Sequence, residues 1–477
     1  MEAVTHVDRR NVLRTISTAA GWVLLSSCAD SSGDGSEAGS GEGSRSSGGT
    51  VPAPSGLERT RWAQDPLSFG AYSFLPVGAE PSHRSDLARP LGARVHWAGE
   101  ATSSEHPSTV HGAIGSGQRA ADDVLRSAGP STRVLVVGAG AAGITAARRL
   151  ADAGVDTVVL EAGDRVGGRL HTVRPPGWGM PLELGASWVH DTGASDLPAL
   201  LDRGRIASEP FDYRRAAITP DRTRMRDVDA QMGLAADTVD AAEAWADRQD
   251  IDTSLAAALE RSGAAEEIGP DPAVLSSYLA SEITTEYGAS PDELSAWWGR
   301  SEGTDGADLL VTGGYDGFVR DAAEGLDVRL GAVVTRVGWG DGSAGVLVDT
   351  TDGERRSADQ VVISVPLGVL QAGAIEFDPP LPPANLAALR ALGMGVLDKY
   401  WFRFDERFWS NDALLWTRVS PADTPFAEWI NVGHLTGEPV LLALMGGAVA
   451  RDWEGRSDDE VMTAATESLQ DFIDAGW

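Results

Sequence analysis

Four consecutive apolar residues, Val134 to Val137, stand between Arg133 and a run of small residues, which is the length and composition of a strand buried on both faces. Ile144 to Ala153 continues with helical character, and Thr157 to Leu160 supplies a second apolar run. Strand, helix and strand in that order predict a parallel α/β unit. Far upstream, Thr15 to Leu25 is weakly apolar and too short to span a bilayer. Ser31 to Thr50 holds glycine, serine and acid with almost nothing apolar, so it cannot build a core and reads as a flexible tether. No short-period repeat interrupts the chain, and no later segment has the length and apolarity of a membrane helix.

The small residues after Val137 carry the first chemistry. Gly138, Ala139, Gly140, Ala141, Ala142 and Gly143 form a glycine fingerprint between the strand and the helix. Gly138 permits the tight turn, Gly140 lets backbone approach a pyrophosphate, and Gly143 allows close packing of the helix, whose N-terminus offers its dipole to the phosphates. Glu161 closes the second strand, placed to accept a hydrogen bond from a ribose hydroxyl. An acid there disfavours a 2′-phosphate, so FAD or NAD is expected over NADP.

The residues after Glu161 separate those two. Ala162 to Arg169, reading AGDRVGGR, resembles the second motif of FAD-dependent amine oxidases, in which the terminal arginine reaches the cofactor. Leu184 to His190, reading LGASWVH, is similar to the loop that passes beside the flavin in polyamine-oxidase-type members, with Gly185, Ala186 and Ser187 against the cofactor. Asp191 then stands where glycine is common in the family, a departure at the substrate entrance. Thr312 to Tyr315 and Val328 to Val337 are similar to the stretch that returns to the FAD domain, where the resemblance implies an adenine contact at Val334. VVISVPLGVL from Val361 and IEFDPPLP from Ile375 resemble the strands that cross into the substrate domain. GMGVLDKYWFRFDERFW from Gly393 matches the family's lysine element, and Lys399 falls on the lysine that holds a water against the flavin in those enzymes.

The family's remaining motif, which normally comes after the lysine element, precedes the fingerprint here. It runs over residues 57–128: Arg61, Trp62, Asp65 and Pro66, SFGAYSF from Ser68, WAGEATS from Trp97, and STVHGAIGSGQRAADDVL from Ser108. This order implies a circular permutation. A helix starting at Thr109 with its N-terminus toward the flavin would end near Gly129, beside the start of the fingerprint strand, so a short link closes the gap. The resemblance implies that Glu100 contacts the ribityl and pyrophosphate region, that the Val110 amide meets the flavin ring, and that Tyr72 and Thr109 wall the space in front of it. Ala71 occupies the place of the flavin-bonded cysteine of monoamine oxidases, so the FAD is expected to be non-covalent.

Composition sharpens this picture in three ways. Of 39 basic residues, Lys399 is the one lysine, and an ammonium, unlike a guanidinium, is able to lose its proton. The net charge of -31 argues against nucleic acid or an anionic membrane surface as partner and would draw in a cation. Residues 227–302 hold seventeen acids, among them Asp227, Asp240, Asp247, Asp252, Glu266, Glu267 and Glu286, against Arg248, Arg261 and Arg300; they either guide a polycation or solvate outer helix faces. Trp297 and Trp298 either line the cleft or pack as core. The single cysteine, Cys28, excludes an internal disulfide and any cysteine-rich metal site. Arg9 and Arg10 before the short apolar run resemble a twin-arginine signal, and LSSC ending at Cys28 resembles a bacterial lipobox. Export to the cell surface or periplasmic side is expected, with a lipid on Cys28 as the one membrane contact.

The sequence is therefore expected to adopt an α/β fold: a Rossmann-like FAD-binding domain (residues 130–190 and 305–365), a mixed sheet-and-helix substrate domain of the flavin amine oxidase type (191–304 and 366–477), the displaced segment 57–128, a signal (1–30) and a linker (31–56). The implied activity is FAD-dependent oxidative deamination of an amine, a polyamine first, with dioxygen as acceptor and hydrogen peroxide as product. Lys399, Tyr72, Thr109 and His190 are the implied catalytic residues, although His190 reads equally as a substrate contact or as a hydrogen-bonded structural histidine. No metal is expected. An L-amino-acid oxidase, with Arg214 or Arg215 clamping a carboxylate, and a flavin-binding module without turnover are the alternatives.

Overall fold

The apolar run at Val134 becomes the middle of a five-stranded sheet in which every neighbouring pair is parallel, in the order Asp327–Arg329, Asp156–Leu160, Arg133–Val137, Gln360–Ile363 and Val95–Trp97. Val134–Val137 are all buried, as a strand covered on both faces requires. The computed structural model describes residues 49–190, 192–193, 195–301, 307–340 and 345–477. Arg9, Arg10, Cys28 and Asp191 lie outside the described residues, as does nearly all of the glycine-serine tether. Residues 49–477 form one compact unit, which holds two large sheets.

The early segment adds a strand to the edge of each of them. Val95–Trp97 lies beside Gln360–Ile363, with Val95 opposite Val361 and Trp97 opposite Ile363. Gly56–Arg59 pairs antiparallel with Leu397–Arg403 at the edge of a six-stranded sheet that continues through Val440–Gly446, Glu428–Ile430, Leu415–Arg418 and Arg215–Ile218. After these strands, the helix Val110–Leu125 packs against the fingerprint helix Ala141–Asp152. The approach is so close that a Cβ at Gly117 would lie 2.2 Å from the Ala142 carbonyl oxygen. From Leu125 the chain reaches the fingerprint strand through a turn in which Gly129 N donates to the Thr132 hydroxyl at 2.7 Å.

One expectation is corrected. VVISV and IEF do not cross into the second sheet: Gln360–Ile363 completes the parallel sheet, and Glu376–Asp378 pairs with Val334–Gly338 in a four-stranded sheet on the same side. An apolar run reads the same whichever sheet receives it, and the pairing partner decides. The first strand of the six-stranded sheet after that point is Leu397–Arg403. Trp297 and Trp298 do not line the cavity: both are half-buried and pack against clusters of buried aliphatic residues, and Trp297 Nε1 donates to the Ala246 carbonyl.

Candidate active site

A cavity of about 650 Å³ runs from the glycine fingerprint to the six-stranded sheet. At the fingerprint end, Gly138 takes a φ of 100° that a side chain would strain, and the helix Ala141–Asp152 begins with its amides toward the cavity. Gly143 does not line the cavity; a Cβ there would sit 2.0 Å from the Gly138 carbonyl oxygen, so its role is the close turn. A Cβ at Gly140 would meet only the Gly167 carbonyl, at 3.8 Å, and otherwise enter open space lined by Ala142, Ala162 and Glu161. That open cradle at a helix N-terminus is the shape and polarity a pyrophosphate fits. Glu161 accepts from the amides of Ala139 (2.6 Å) and Gly163 (2.7 Å), which leaves it about two acceptor positions for a ribose. Val334 starts its strand at the same end of the cavity.

Further in, a buried ion pair joins the two halves of the sequence. Arg169 donates to Glu100 Oε1 at 2.9 Å and to the Ala71 carbonyl at 2.8 Å. Glu100 also accepts from the Ser73 hydroxyl and the Ser108 amide. Burial by itself would raise the Glu100 carboxyl, but Arg169, Arg84 and Ser73 together hold it below its ordinary value. Thr109 caps the helix Val110–Leu125: its Oγ1 accepts from Gly112 N at 3.0 Å and donates to the His106 carbonyl. The hydroxyl is thereby committed to the cap, and the residue contributes a fixed wall beside Val110. Tyr72 forms the neighbouring wall, its hydroxyl donating to the Thr285 carbonyl at 2.6 Å.

Lys399 sits on the inward face of its strand, 4% exposed. Its Nζ donates to the Gly185 carbonyl, the Ser187 hydroxyl and, at 3.3 Å, the Glu183 carbonyl, and it lies 5.3 Å from the centre of the Trp188 ring. The one lysine thus ties the cavity-lining turn Gly185, Ala186 and Ser187 to the six-stranded sheet. Burial pulls its pKa down to about 7, opposed by the Glu183 carboxylate.

The remaining wall is acidic and was not legible in the motifs. A π-helical turn, Leu279–Thr284, passes into Thr285–Tyr287 and presents Ser281, Glu282, Thr285 and Glu286 to the cavity. The hydroxyls of Thr284 and Thr285 reach back five residues to the carbonyls of Leu279 and Ala280, which holds the wide turn. Arg215 is buried between Glu282 and Glu428. His190 Nδ1 lies 2.8 Å from Asp308 Oδ2, and the Tyr213 hydroxyl donates to the same oxygen. Arg214 points elsewhere and pairs with Asp212. Of these groups, Glu282, Glu428, Asp308 and Tyr213 are not apparent from the sequence because they come from four separate stretches. The one local signal was Glu282 and Glu286 at helical spacing.

Comparison with known proteins agrees with this layout. The model of the family described as flavin containing amine oxidoreductase matches residues 45–125 and 141–475. Polyamine oxidase 2 of Arabidopsis thaliana is 32% identical over 373 residues, 74% of each chain. Polyamine oxidase 4 of Oryza sativa subsp. japonica is 30% identical over 71% of this chain and 72% of its own. Lysine-specific histone demethylase 1B of Mus musculus is 32% identical over 71% of this chain and 43% of its own. Among solved structures, a putrescine oxidase variant superposes with a TM-score of 0.58 at 24% identity, over 72% of this chain and 82% of that one, a likeness of fold.

Proposed function

The chain belongs to the flavin-containing amine oxidoreductases, and on that premise we propose that it oxidises a di- or polyamine with dioxygen as acceptor. It is an FAD enzyme of amine oxidation. The observation that carries the choice of substrate is the acidic inner wall: Glu282, Glu286 and Glu428 line the cavity with Arg215, a guanidinium already matched by two of those carboxylates. A molecule with two or more ammonium groups fits that charge, whereas an amino acid's carboxylate would meet Arg215 already paired with Glu282 and Glu428. The relatives named polyamine oxidase support the same class.

Bound FAD supplies the acceptor for a hydride from the carbon next to the amine nitrogen. The protein's own share is positional. Gly138, Gly140, Ala142, Glu161, Ala162 and Val334 would hold the dinucleotide end, and Glu100, Arg169, Val110 and the turn Gly185–Ser187 the flavin end. Tyr72, fixed through Thr285, limits where the amine carbon lies, and the carboxylates anchor the remaining ammonium. Lys399, whose pKa near 7 lets it hold or release a proton, is placed to assist oxygen reduction. The net reaction is amine, dioxygen and water to aldehyde, the shorter amine or ammonia, and hydrogen peroxide.

The order of segments is proposed to be a circular permutation. Supporting it, Gln470 on the helix Asp458–Asp474 binds the backbone of Gly49 and Val51, and Val51 packs in one cluster with Trp477. We propose export and lipid attachment at Cys28 on the sequence signals alone; labelled palmitate incorporated by the intact chain and lost in Cys28→Ala is the check.

The FAD-loaded protein mixed anaerobically with spermidine, putrescine, a simple monoamine and an amino acid tests the reading through the oxidised-flavin absorbance. Bleaching by the first two alone is expected. Bleaching by the amino acid alone would replace the polyamine reading with the amino-acid oxidase.

A further inference from the structure

An aliphatic amine is an ammonium at neutral pH, with a pKa near that of lysine, about 10.4. The acidic wall selects that charged form. Hydride departure from the neighbouring carbon needs the nitrogen lone pair, so the bound cation must first lose a proton inside the cavity. We propose that His190, held by Asp308, takes that proton. This rests on the amine-oxidation reading above.

The pair is built by strand register. Trp188–Val189 pairs antiparallel with Leu309–Val311, Val189 opposite Leu309, which brings His190 opposite Asp308. An ionised carboxylate only accepts, so the 2.8 Å contact from Asp308 Oδ2 places the ring hydrogen on Nδ1 and leaves the lone pair on Nε2. The His190 side chain is 29% exposed and lines the cavity, whereas Asp308 is 9% exposed. The Tyr213 hydroxyl, from the loop after Ser208–Pro210, donates to Asp308 as well, and the Asp308 carbonyl accepts from Phe211 N at 2.9 Å. Asp308 is therefore a positioning residue fixed from both neighbouring strands.

Other groups on the wall are committed. Lys399, tied to the turn Glu183–Ser187 by three acceptors, is the group assigned to oxygen reduction; the Tyr72 and Tyr213 hydroxyls are donors; Glu282 and Glu428 pair with Arg215. Glu286 remains, and it faces His190 from the helix Thr285–Tyr287. In the step, one N–H bond of the ammonium breaks, its electron pair stays on nitrogen, and the proton forms an N–H bond at Nε2. The imidazolium so formed lies between two carboxylates, Asp308 and Glu286. Burial would lower the His190 pKa, but its hydrogen bond and charge interaction with Asp308, then Glu286, raise it above the ordinary value.

The test tracks two midpoints in the FAD-loaded enzyme. One is the acid limb of anaerobic flavin reduction by saturating spermidine; the other is the titration of His190, read by NMR without substrate. They should coincide in the wild type and move to lower pH together in Asp308→Asn. His190→Gln should lose that limb, leaving a rate that climbs about tenfold per pH unit toward the amine's own pKa. An acid limb unmoved in Asp308→Asn while the His190 titration shifts would overturn the proposal. So would a limb abolished by Glu286→Gln and kept in His190→Gln. Wild-type flavin that no amine reduces would remove the substrate reading and this step with it, with the His190 titration still readable.

Discussion

At the scale of single residues, the one lysine and the cavity histidine are the groups proposed to carry the chemistry, and each is set by what encloses it. Burial lowers Lys399 from its ordinary value to about 7, so between pH 7 and 10 the unfolded chain binds more protons than the folded one. Stability contributed at this position therefore rises with pH across that window. Lys399→Met is expected to narrow its stability gap to the wild type as pH falls from 10 to 7, measured as the difference in thermal midpoint. The same substitution should slow reoxidation of the reduced flavin by about tenfold or more while sparing its reduction, checked by stopped-flow mixing with oxygen. His190 shows why the two readings of a lone histidine are not exclusive: its Nδ1 is satisfied by Asp308 while the ring still lines the cavity.

At the scale of elements, two clamps hold the early segment. The first is the helix pair Val110–Leu125 and Ala141–Asp152. Gly117→Ala would place a methyl 2.2 Å from a backbone oxygen, and neither helix can yield without moving the fingerprint. A loss of about 1–3 kcal/mol is expected, with weaker FAD retention, read from denaturant midpoints and flavin content. Thr109→Ala should remove the cap at about 1 kcal/mol. The second clamp is a pair of buried acids beside Lys399. Asp398 accepts from the Thr60 hydroxyl (2.6 Å) and Trp62 N, while Glu454 accepts from Ala63 N. Burial, together with the neighbouring Asp398, pushes Glu454 up to about 7. The folded form thus binds the extra proton between pH 4.5 and 7, and stability from this site is present below that window and lost as pH rises through 7. Glu454→Gln should flatten the fall of the thermal midpoint between pH 4.5 and 7; an unchanged slope would sink this account.

At the scale of the whole molecule, the early segment does the work of a bridge, giving one edge strand to each large sheet and a helix that packs on the fingerprint helix. Gln470 binds the backbone of Gly49 and Val51, and on the proposed permutation the order of segments is separable from the fold. A chain opened between Leu125 and Arg133, with Trp477 joined to Gly49 by a short glycine-serine linker, should bind FAD and match the original thermal midpoint within about 5 °C, read by calorimetry and flavin content. Failure to take up FAD would count against the permutation.

The sequence by itself determined the fingerprint sheet, the FAD, the family and the place of Lys399, because each is written in contiguous residues whose spacing is dictated by backbone geometry. Gly138, Gly140 and Gly143 must lie between one strand and one helix, and no distant contact changes that requirement. Where IEF pairs, which acids form the inner wall, and what His190 does were decided only by tertiary structure. Strand pairing and charge act across space: Asp308 meets His190 through sheet register, and Arg215 meets Glu282 and Glu428 across gaps of 67 and 213 residues. Seventeen acids could be counted between residues 227 and 302, but only folding separates the few that enter the cavity from those that meet water.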